Sequence, residues 1–256
     1  MKKQLIISIL GLLLLTSHSL FAQKDQNAGI INSYLIGLEY EVKAGFSIGG
    51  TSPLPLPKEI RSIDSYNPTL QIAIEGNVTK WLNPARTWGI MLALRLETKG
   101  MKTDARVKNY SMEVIGDGGE RMKGFWTGQV KTKVNNSYLT VPVLAAWRVS
   151  PRWKLNAGPY VSYRMEGNFT GYLRDLDPTG NKVVFEDGKS APYDFSKDLR
   201  RFAWGLQLGG EWKAFKHLNV YADLTWGMND IFKKDFNTIT FAMYPIYLNM
   251  GFGYAF

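Results

Sequence analysis

Residues 34–48 read YLIGLEYEVKAGFSI, and this stretch decides the fold class of the chain. Apolar side chains occupy every second position. From residue 37 onward the positions between them hold glycine, serine or the charged residues Glu39, Glu41 and Lys43. A helix would spread these charges around its surface, whereas a β-strand puts them all on one face. The stretch therefore predicts a strand with one apolar and one polar face.

Seven further runs show the same alternation, each about as long as a tilted membrane strand needs to be. They cover residues 70–78, 88–96, 139–147, 153–165, 202–212, 218–228 and 244–256. The connections alternate between long polar segments (49–66, 101–136, 171–199 and 230–240) and tight ones (81–86, 149–152 and 214–217). Short periplasmic turns and long external loops are typical of outer-membrane barrels. The pattern predicts an all-β fold, an eight-stranded antiparallel up-and-down transmembrane β-barrel with long extracellular loops and both termini in the periplasm.

The first 22 residues are expected to be a cleaved secretory signal peptide. Lys2 and Lys3 precede a continuous apolar run from Leu5 to Leu15, and the chain then turns polar and small up to Ala22. This apolar run is too short for a spanning helix, although an uncleaved anchor helix is the alternative. We expect residues 23–32 to be a short periplasmic segment and residues 33–256 to form the barrel. An exported chain meets no nucleic acid, despite the net charge of +9.

The direction in which the apolar faces point separates two kinds of barrel. A soluble lipocalin-like barrel would turn its apolar faces inward around a ligand. The apolar faces here carry many tryptophans near strand ends, which favours aromatic girdles against lipid. We therefore expect the outer membrane, with its lipid and lipopolysaccharide, to surround the barrel.

The opposite faces put charges of both signs inside the predicted barrel. The candidate lumen network is Glu39, Glu41, Lys43, Arg95, Glu97, Arg164, Glu166, Glu211 and Asp223. Paired carboxylates can serve acid–base chemistry or a proton path. Mixed charges in a narrow lumen also need partners, so they favour a structural plug of salt bridges that conducts few ions.

Two features of the strands have specific consequences. Pro142, Pro159 and Pro245 fall inside strands, where each removes a ladder hydrogen bond, so we expect bulges or local bends there. The last strand carries alternating aromatics, Phe252, Tyr254 and Phe256, which resemble the signal that the barrel-assembly machinery reads. A lipid-facing strand would show the same alternation, and both interpretations can hold.

Several strands resemble those of PorT-like outer-membrane barrels of Bacteroidota-type bacteria. The resemblance is carried by residues 138–144 (YLTVPVL), 157–163 (AGPYVSY), Gly205 with 209–211 (GGE), and 227–231 (GMNDI). It covers essentially the whole mature chain, and its motifs are structural. It implies an outer-membrane barrel, and a role beside secretion-system subunits is one version of what such a protein does.

The residue inventory argues against enzymatic chemistry and leaves the external loops as candidate binding surfaces. The chain has no cysteine, and only His217 remains once His18 leaves with the signal peptide, so we expect neither an enzyme nor a cofactor. Asp175, Asp177, Glu186 and Asp187 lack a recognised Ca²⁺ spacing. The second loop is net basic through Lys102, Arg106, Lys108, Arg121, Lys123, Lys131 and Lys133, which could bridge lipopolysaccharide phosphates or simply be solvated. A lipid-modifying enzyme or protease and a small pore are the alternative functions.

Overall fold

The computed structural model describes residues 37–115, 119–174 and 191–256. This part of the chain forms ten strands and one short 3₁₀ helix, Ser196–Asp198. The strands are β1 (Leu38–Pro53), β2 (Ile60–Asn67), β3 (Gln71–Trp81), β4 (Trp88–Ile115), β5 (Arg121–Ser150), β6 (Trp153–Arg174), β7 (Ala191–Asp194), β8 (Phe202–Lys213), β9 (Leu218–Gly227) and β10 (Met243–Ala255). Residues 1–36, on which the predicted signal peptide falls, lie outside the described residues.

All strand pairs are antiparallel, and the sheet closes on itself. The circuit runs β1, β3, β4, β5, β6, β8, β9 and β10, and the pairing of β10 with β1 completes it. The predicted alternating runs fall in the strands of this circuit. Two short strands that the sequence did not indicate are added, since β2 pairs with β4 and β7 pairs with β6. The sheet therefore has ten strands, where eight were predicted.

The two ends of the ring differ in construction. At one end, which we call the turn end, residues 82–87, 151–152 and 214–217 join consecutive strands. At the other, which we call the hairpin end, β4 and β5 stay paired out to Ile115 and Arg121. The second long connection is therefore built on an extended hairpin, whose tip, residues 116–118, lies outside the described residues.

The hairpin end has a hydrophobic core of its own, which the predicted long polar loops did not suggest. Seventeen buried apolar residues form this hairpin-end core, drawn from β4, β5, β6, β7, β10 and the segments 195–199 and 231–239. Phe195, Phe232 and Phe236 stack or tilt against one another with ring centroids 4.5–6.4 Å apart. Apolar residues at alternate positions of the extended hairpin, such as Val107 and Val130, face this core. The described parts of the connections at this end thus pack into a common core.

Bulges or local bends were predicted at the prolines, and no bulge forms at Pro142 or Pro159. The β5–β6 ladder stops after the pair Pro142–Tyr160 and resumes at Ala145–Ala157 in the same register. The missing proline N–H groups therefore interrupt the ladder without adding a residue. Pro245 lies just beyond the β9–β10 ladder, which begins at Ile246, and its ring packs over Gly227.

Burial is inverted relative to a soluble barrel. The outward positions of the circuit strands carry exposed apolar residues, including Ile72, Leu92, Leu206 and Leu224, whereas polar and charged side chains fill the interior. An apolar belt around a polar interior is the arrangement of a barrel that is surrounded by lipid. Among the described residues, no α-helix is long and apolar enough to cross a membrane.

Candidate functional site

Cross-strand register brings opposite charges together inside the barrel. Lys43 on β1 lies opposite Glu75 on β3, and Glu75 lies opposite Arg95 on β4. On the other side of the ring, Lys154 on β6 lies opposite Glu211 on β8. All of these side chains occupy the inward phase of their strands and are buried. The alternation that produces the apolar belt therefore also assembles the interior charges.

Lys43 is the centre of the interior network. Its Nζ lies 2.5 Å from Glu211 Oε1, 3.7 Å from Glu75 Oε1 and 3.8 Å from Asp223 Oδ2. The ammonium also lies 4.9 Å from the ring centroid of Tyr221. Such a geometry offsets the cost of removing an ammonium group from water. Four strands of the ring are tied together through this one side chain.

Arg95 forms the second centre. Its Nη2 lies 2.5 Å from Glu75 Oε2, and its Nε donates to the same oxygen over 2.7 Å. Asp223 Oδ2 lies 3.5 Å from the guanidinium, and Glu97 Oε2 lies 3.9 Å away. Glu75 therefore contacts both centres and joins them into one network.

Ion pairs continue from these centres toward both ends of the barrel. Toward the hairpin end, Lys99 Nζ lies 2.9 Å from Glu97 Oε1. Toward the turn end, Lys154 Nζ lies 2.6 Å from Glu211 Oε2 and 3.4 Å from Glu41 Oε2. These pairs extend the network along the barrel axis, so a passing ion would meet fixed charges of both signs.

The network ends at the turn end in a less buried group. Glu39 accepts hydrogen bonds from Arg148 over 2.7 Å and from Trp81 Nε1 over 3.1 Å. The Arg148 guanidinium also lies over the Trp81 ring, with its Cζ 4.2 Å from the ring centroid. A cation–π contact therefore accompanies the ion pair at this end of the network.

The interior holds more carboxylates than cations. Among the described residues the buried cations are Lys43, Arg95, Lys99 and Lys154, and the buried carboxylates are Glu41, Glu75, Glu97, Glu211 and Asp223. Near them, the buried amides of Asn156, Gln207 and Asn249 make no hydrogen bond within the described protein. Polar groups of this kind are the ones that ordered water satisfies inside proteins. The arrangement fits a filled polar interior that has a single excess negative charge.

Two residues of the predicted network lie elsewhere. Arg164 donates to the carbonyl oxygens of Leu199 and Arg200 over 2.9 and 3.0 Å, so it braces the segment before β8. Glu166 is exposed, because the β5–β6 register shifts between Ser137 and Tyr138 and thereby reverses the inward and outward phase of β6.

Two central residues were absent from the prediction. Glu75 contacts both centres, and Lys154 pairs with Glu211, the partner of Lys43, yet the predicted network contained neither residue. The signal was present, because each alternates with the outward apolar residues of its own strand. Both Glu75 and Lys154 are identified when every charged residue at an inward-facing strand position is counted.

The basic residues of the predicted second loop lie on β4 and β5 at the hairpin end and are partly paired. Arg121 lies 2.8 Å from Glu113, Lys131 lies 3.4 Å from Asp104, and Arg106 lies 3.3 Å from Asp64. The bond to Glu113 raises the pKa of Arg121. The four acidic residues considered for Ca²⁺, Asp175, Asp177, Glu186 and Asp187, lie outside the described residues.

A family model described as the outer membrane protein beta-barrel domain matches residues 21–233. This chain belongs to that family. The outer membrane is therefore the location of the barrel, and its exposed apolar belt faces lipid. No protein with a curated description matches the chain.

Solved structures of other outer-membrane proteins resemble the chain only distantly. Ail, the attachment invasion locus protein of Yersinia pestis, solved with the heparin analogue sucrose octasulfate, is 9% identical with a TM-score of 0.38 over 86% of this chain and 97% of that one. The outer membrane protease OmpT from Escherichia coli is 13% identical with a TM-score of 0.36 over 86% and 96%. Neisserial surface protein A is 10% identical with a TM-score of 0.33 over 86% and 97%. Similarity at this level carries no argument about function.

Six of the eight tryptophans of this outer-membrane barrel lie on its outer surface, in two groups. Trp88 and Trp147 stack at 5.1 Å near the turn end, where Trp153 also pairs with Trp212 across strands. Trp204 and Trp226 lie further toward the hairpin end, and all six are exposed. Interfacial tryptophans of this kind mark the two edges of the hydrocarbon layer.

The predicted assembly signal lies on the lipid-facing side of β10. Phe252, Tyr254 and Phe256 are all exposed. The Tyr254 ring contacts Phe256 edge-on at 5.2 Å, and the backbone N–H of Phe256 donates to the carbonyl of Tyr40 over 3.0 Å. Recognition by the assembly machinery stays a prediction.

Proposed function

We propose that this outer-membrane barrel is a closed, non-enzymatic envelope protein that binds a partner at its hairpin end. The buried charge network carries the proposal. It fills the interior, so a partner would bind at one of the two ends of the barrel. The hairpin end, with its packed core and basic residues, offers the larger ordered surface. A PorT-like accessory role beside secretion-system subunits is the version that the resembling strands favour.

The topology that we propose has eight membrane-crossing strands. They are the members of the closed circuit, while β2, β7 and the outer parts of β4, β5 and β6 stand outside the membrane. The tight connections of the turn end then face the periplasm, and the hairpin end faces the exterior. In this topology residues 1–22 are a cleaved signal peptide and both termini are periplasmic.

The environment of His217 supports a non-enzymatic role. Its Nδ1 lies 2.7 Å from the carbonyl oxygen of Ala255, and its ring stacks on Tyr254 with centroids 5.4 Å apart. These contacts hold the β8–β9 turn against the last strand, which is a structural use of the side chain. Assays of the purified barrel for lipase and protease activity test this part of the proposal, and turnover abolished by His217→Ala would contradict it.

Site-specific photo-crosslinking in native outer membranes tests partner binding and its side. Phe125 near the hairpin tip and Phe215 in the β8–β9 turn are 75% and 72% exposed, so they form a matched pair at opposite ends. A photo-reactive amino acid replaces each in turn. We expect Phe125 to give a discrete protein adduct and Phe215 to give none. Secretion-machinery subunits in that adduct would support the accessory role, whereas an adduct from Phe215 alone, or from neither position, would overturn the proposal.

A further inference from the structure

An apolar cavity of about 390 Å³ lies at the hairpin end, between β1, β2, β4 and the hairpin-end core. Its walls include Met101, Val107, Tyr110, Phe169 and Met243, and no described residue that lines it is charged. Ligand pockets span about 300–1,000 Å³, and a dry apolar cavity of about 150 Å³ already binds benzene. The cavity is therefore large enough for a flexible hydrocarbon chain.

Several polar groups in the cavity wall are hydrogen-bonded within the protein. The hydroxyl of Tyr193 lies 2.6 Å from Thr132 Oγ1 and donates to the carbonyl of Lys131 over 2.9 Å. The backbone N–H of Thr51 donates to Met101 Sδ over 3.2 Å. Groups that are already bonded offer little to a polar ligand, so the wall favours an apolar one.

A break in the strand ladder lies beside the cavity. β1 pairs with β3 only as far as Ser47, and among the described residues it has no ladder partner on that side from Ile48 to Pro53. The bond from Thr51 to a methionine sulfur replaces a strand hydrogen bond there. The gap lies between the outer part of β1 and β2, which pairs with β4 instead.

Half-exposed apolar side chains border this opening. Leu56, Ile63 and Tyr66 line the cavity and are exposed at the same time. A Cβ atom at Gly50 would lie 2.8 Å from Met101 Sδ and 3.3 Å from the Tyr66 ring, so Tyr66 crosses the opening in contact with bare backbone. We call this group of residues the lateral mouth.

The lateral mouth adjoins the lipid-facing belt. β3 begins at Gln71, four residues after β2 ends. Leu70, just before β3, and Ile72, on its outward face, are exposed apolar side chains. A chain moving from this belt to the mouth would pass from Leu70 and Ile72 to the exposed apolar side chains of Ile63 and Tyr66. Such a path avoids the cost of passing hydrocarbon through water.

We propose that the cavity binds a single alkyl or acyl chain that enters through the lateral mouth. The chain belongs either to a lipid of the outer leaflet or to a free fatty acid. The two sources share the same hydrocarbon chemistry, and the cavity recognises that chemistry. This site is additional to the proposed partner binding, and each of the two proposals is tested by its own experiment.

The test uses the full-length barrel in lipid nanodiscs and two diazirine probes, photoactivatable hexadecanoic acid and a phospholipid that carries the same acyl chain. After irradiation, peptide mass spectrometry locates the label. We expect label on cavity residues such as Met101 and Met243, from the phospholipid, the free acid or both. The probe that labels identifies the source. Label confined to belt residues such as Ile72 would overturn the proposal.

A matched pair of variants distinguishes the cavity from general contact with lipid. Ala105 lines the cavity, and Ala145 is exposed on the belt. Ala105→Phe fills space that several methylene groups would occupy, so we expect cavity labelling to fall at least about tenfold, while Ala145→Phe leaves it unchanged. Equal labelling of both variants would contradict the site.

A mouth variant covers the case in which Ala105→Phe fails to fold. Ile63 is half-exposed, so Ile63→Asp puts a charge at the entrance without burying it in the core. We expect this variant to reduce cavity labelling while belt labelling persists. Unchanged cavity labelling would show that the chain does not enter through the lateral mouth.

Discussion

Lys43 and Glu211 lie 168 residues apart in the chain, and their charged atoms meet at 2.5 Å inside the barrel. The side chains are 0% and 2% exposed to solvent. A buried ion pair of this kind is weak evidence for stability by itself, because its desolvation cost offsets most of the attraction. Its consequence is closure, since the pair and its neighbours occupy the space through which ions would pass.

Removal of the central cation should destabilise the barrel strongly. Lys43→Met leaves Glu211, Glu75 and Asp223 without their shared partner, and an uncompensated buried charge costs about 3–5 kcal/mol. Urea unfolding of the barrel in lipid vesicles measures the change. Lys216→Met in the exposed β8–β9 turn is the control and should change the free energy of unfolding by less than about 0.5 kcal/mol. Equal effects of the two variants would contradict the role of Lys43.

The excess carboxylate predicts a difference between two neutralising substitutions. Glu75 contacts Arg95 at 2.5 Å, whereas Asp223 lies 3.5 Å from Arg95 and 3.8 Å from Lys43. Asp223→Asn balances the buried charges at the loss of longer contacts, so it should lower the unfolding free energy less than Glu75→Gln does. Urea midpoints of both variants decide the order. A larger loss for Asp223→Asn would show that the charge balance is unimportant.

The hairpin-end core should depend on the hydroxyl of Tyr193. Tyr193→Phe leaves the carbonyl of Lys131 and the hydroxyl of Thr132 without this partner, at a cost of about 1–3 kcal/mol. We expect faster proteolysis at the hairpin end while the gel-shift of the folded barrel persists. Tyr163→Phe in the lipid-facing belt is the control. Identical proteolysis of the two variants would argue against a cooperative core at this end.

Alkaline pH should loosen the same core. Burial raises the pKa of Tyr110 and of Tyr193, both at the hairpin end. Because the pKa is higher in the folded protein, the unfolded chain loses these protons first as pH rises. The free energy of unfolding is therefore unaffected below about pH 10 and decreases as pH rises above it. Proteolysis of the hairpin end across this range measures the effect. Protection that is unchanged well above pH 10 would contradict the burial of these phenols.

The strand alternation predicted the circuit because a two-residue period is a local property of the chain. It placed the polar faces of β1 and β4 correctly inside, as the buried Lys43 and Arg95 show. Glu166 could not be placed in the same way, because a single bulge in β6 reverses which residues face inward. No residue type in the sequence indicates the position of that bulge. β2, β7 and the hairpin-end core depend on contacts between distant segments, such as Phe169 with Phe232, which no local pattern contains.

Conductance of the purified barrel in a planar bilayer tests the central claim, a closed interior, most directly. The network around Lys43 and Arg95 predicts no steady ion current at moderate voltage, and the same result for Lys216→Met. Opening of the interior by Lys43→Met would then locate the barrier in this network. Sustained large-conductance openings of the unmodified barrel would contradict the account.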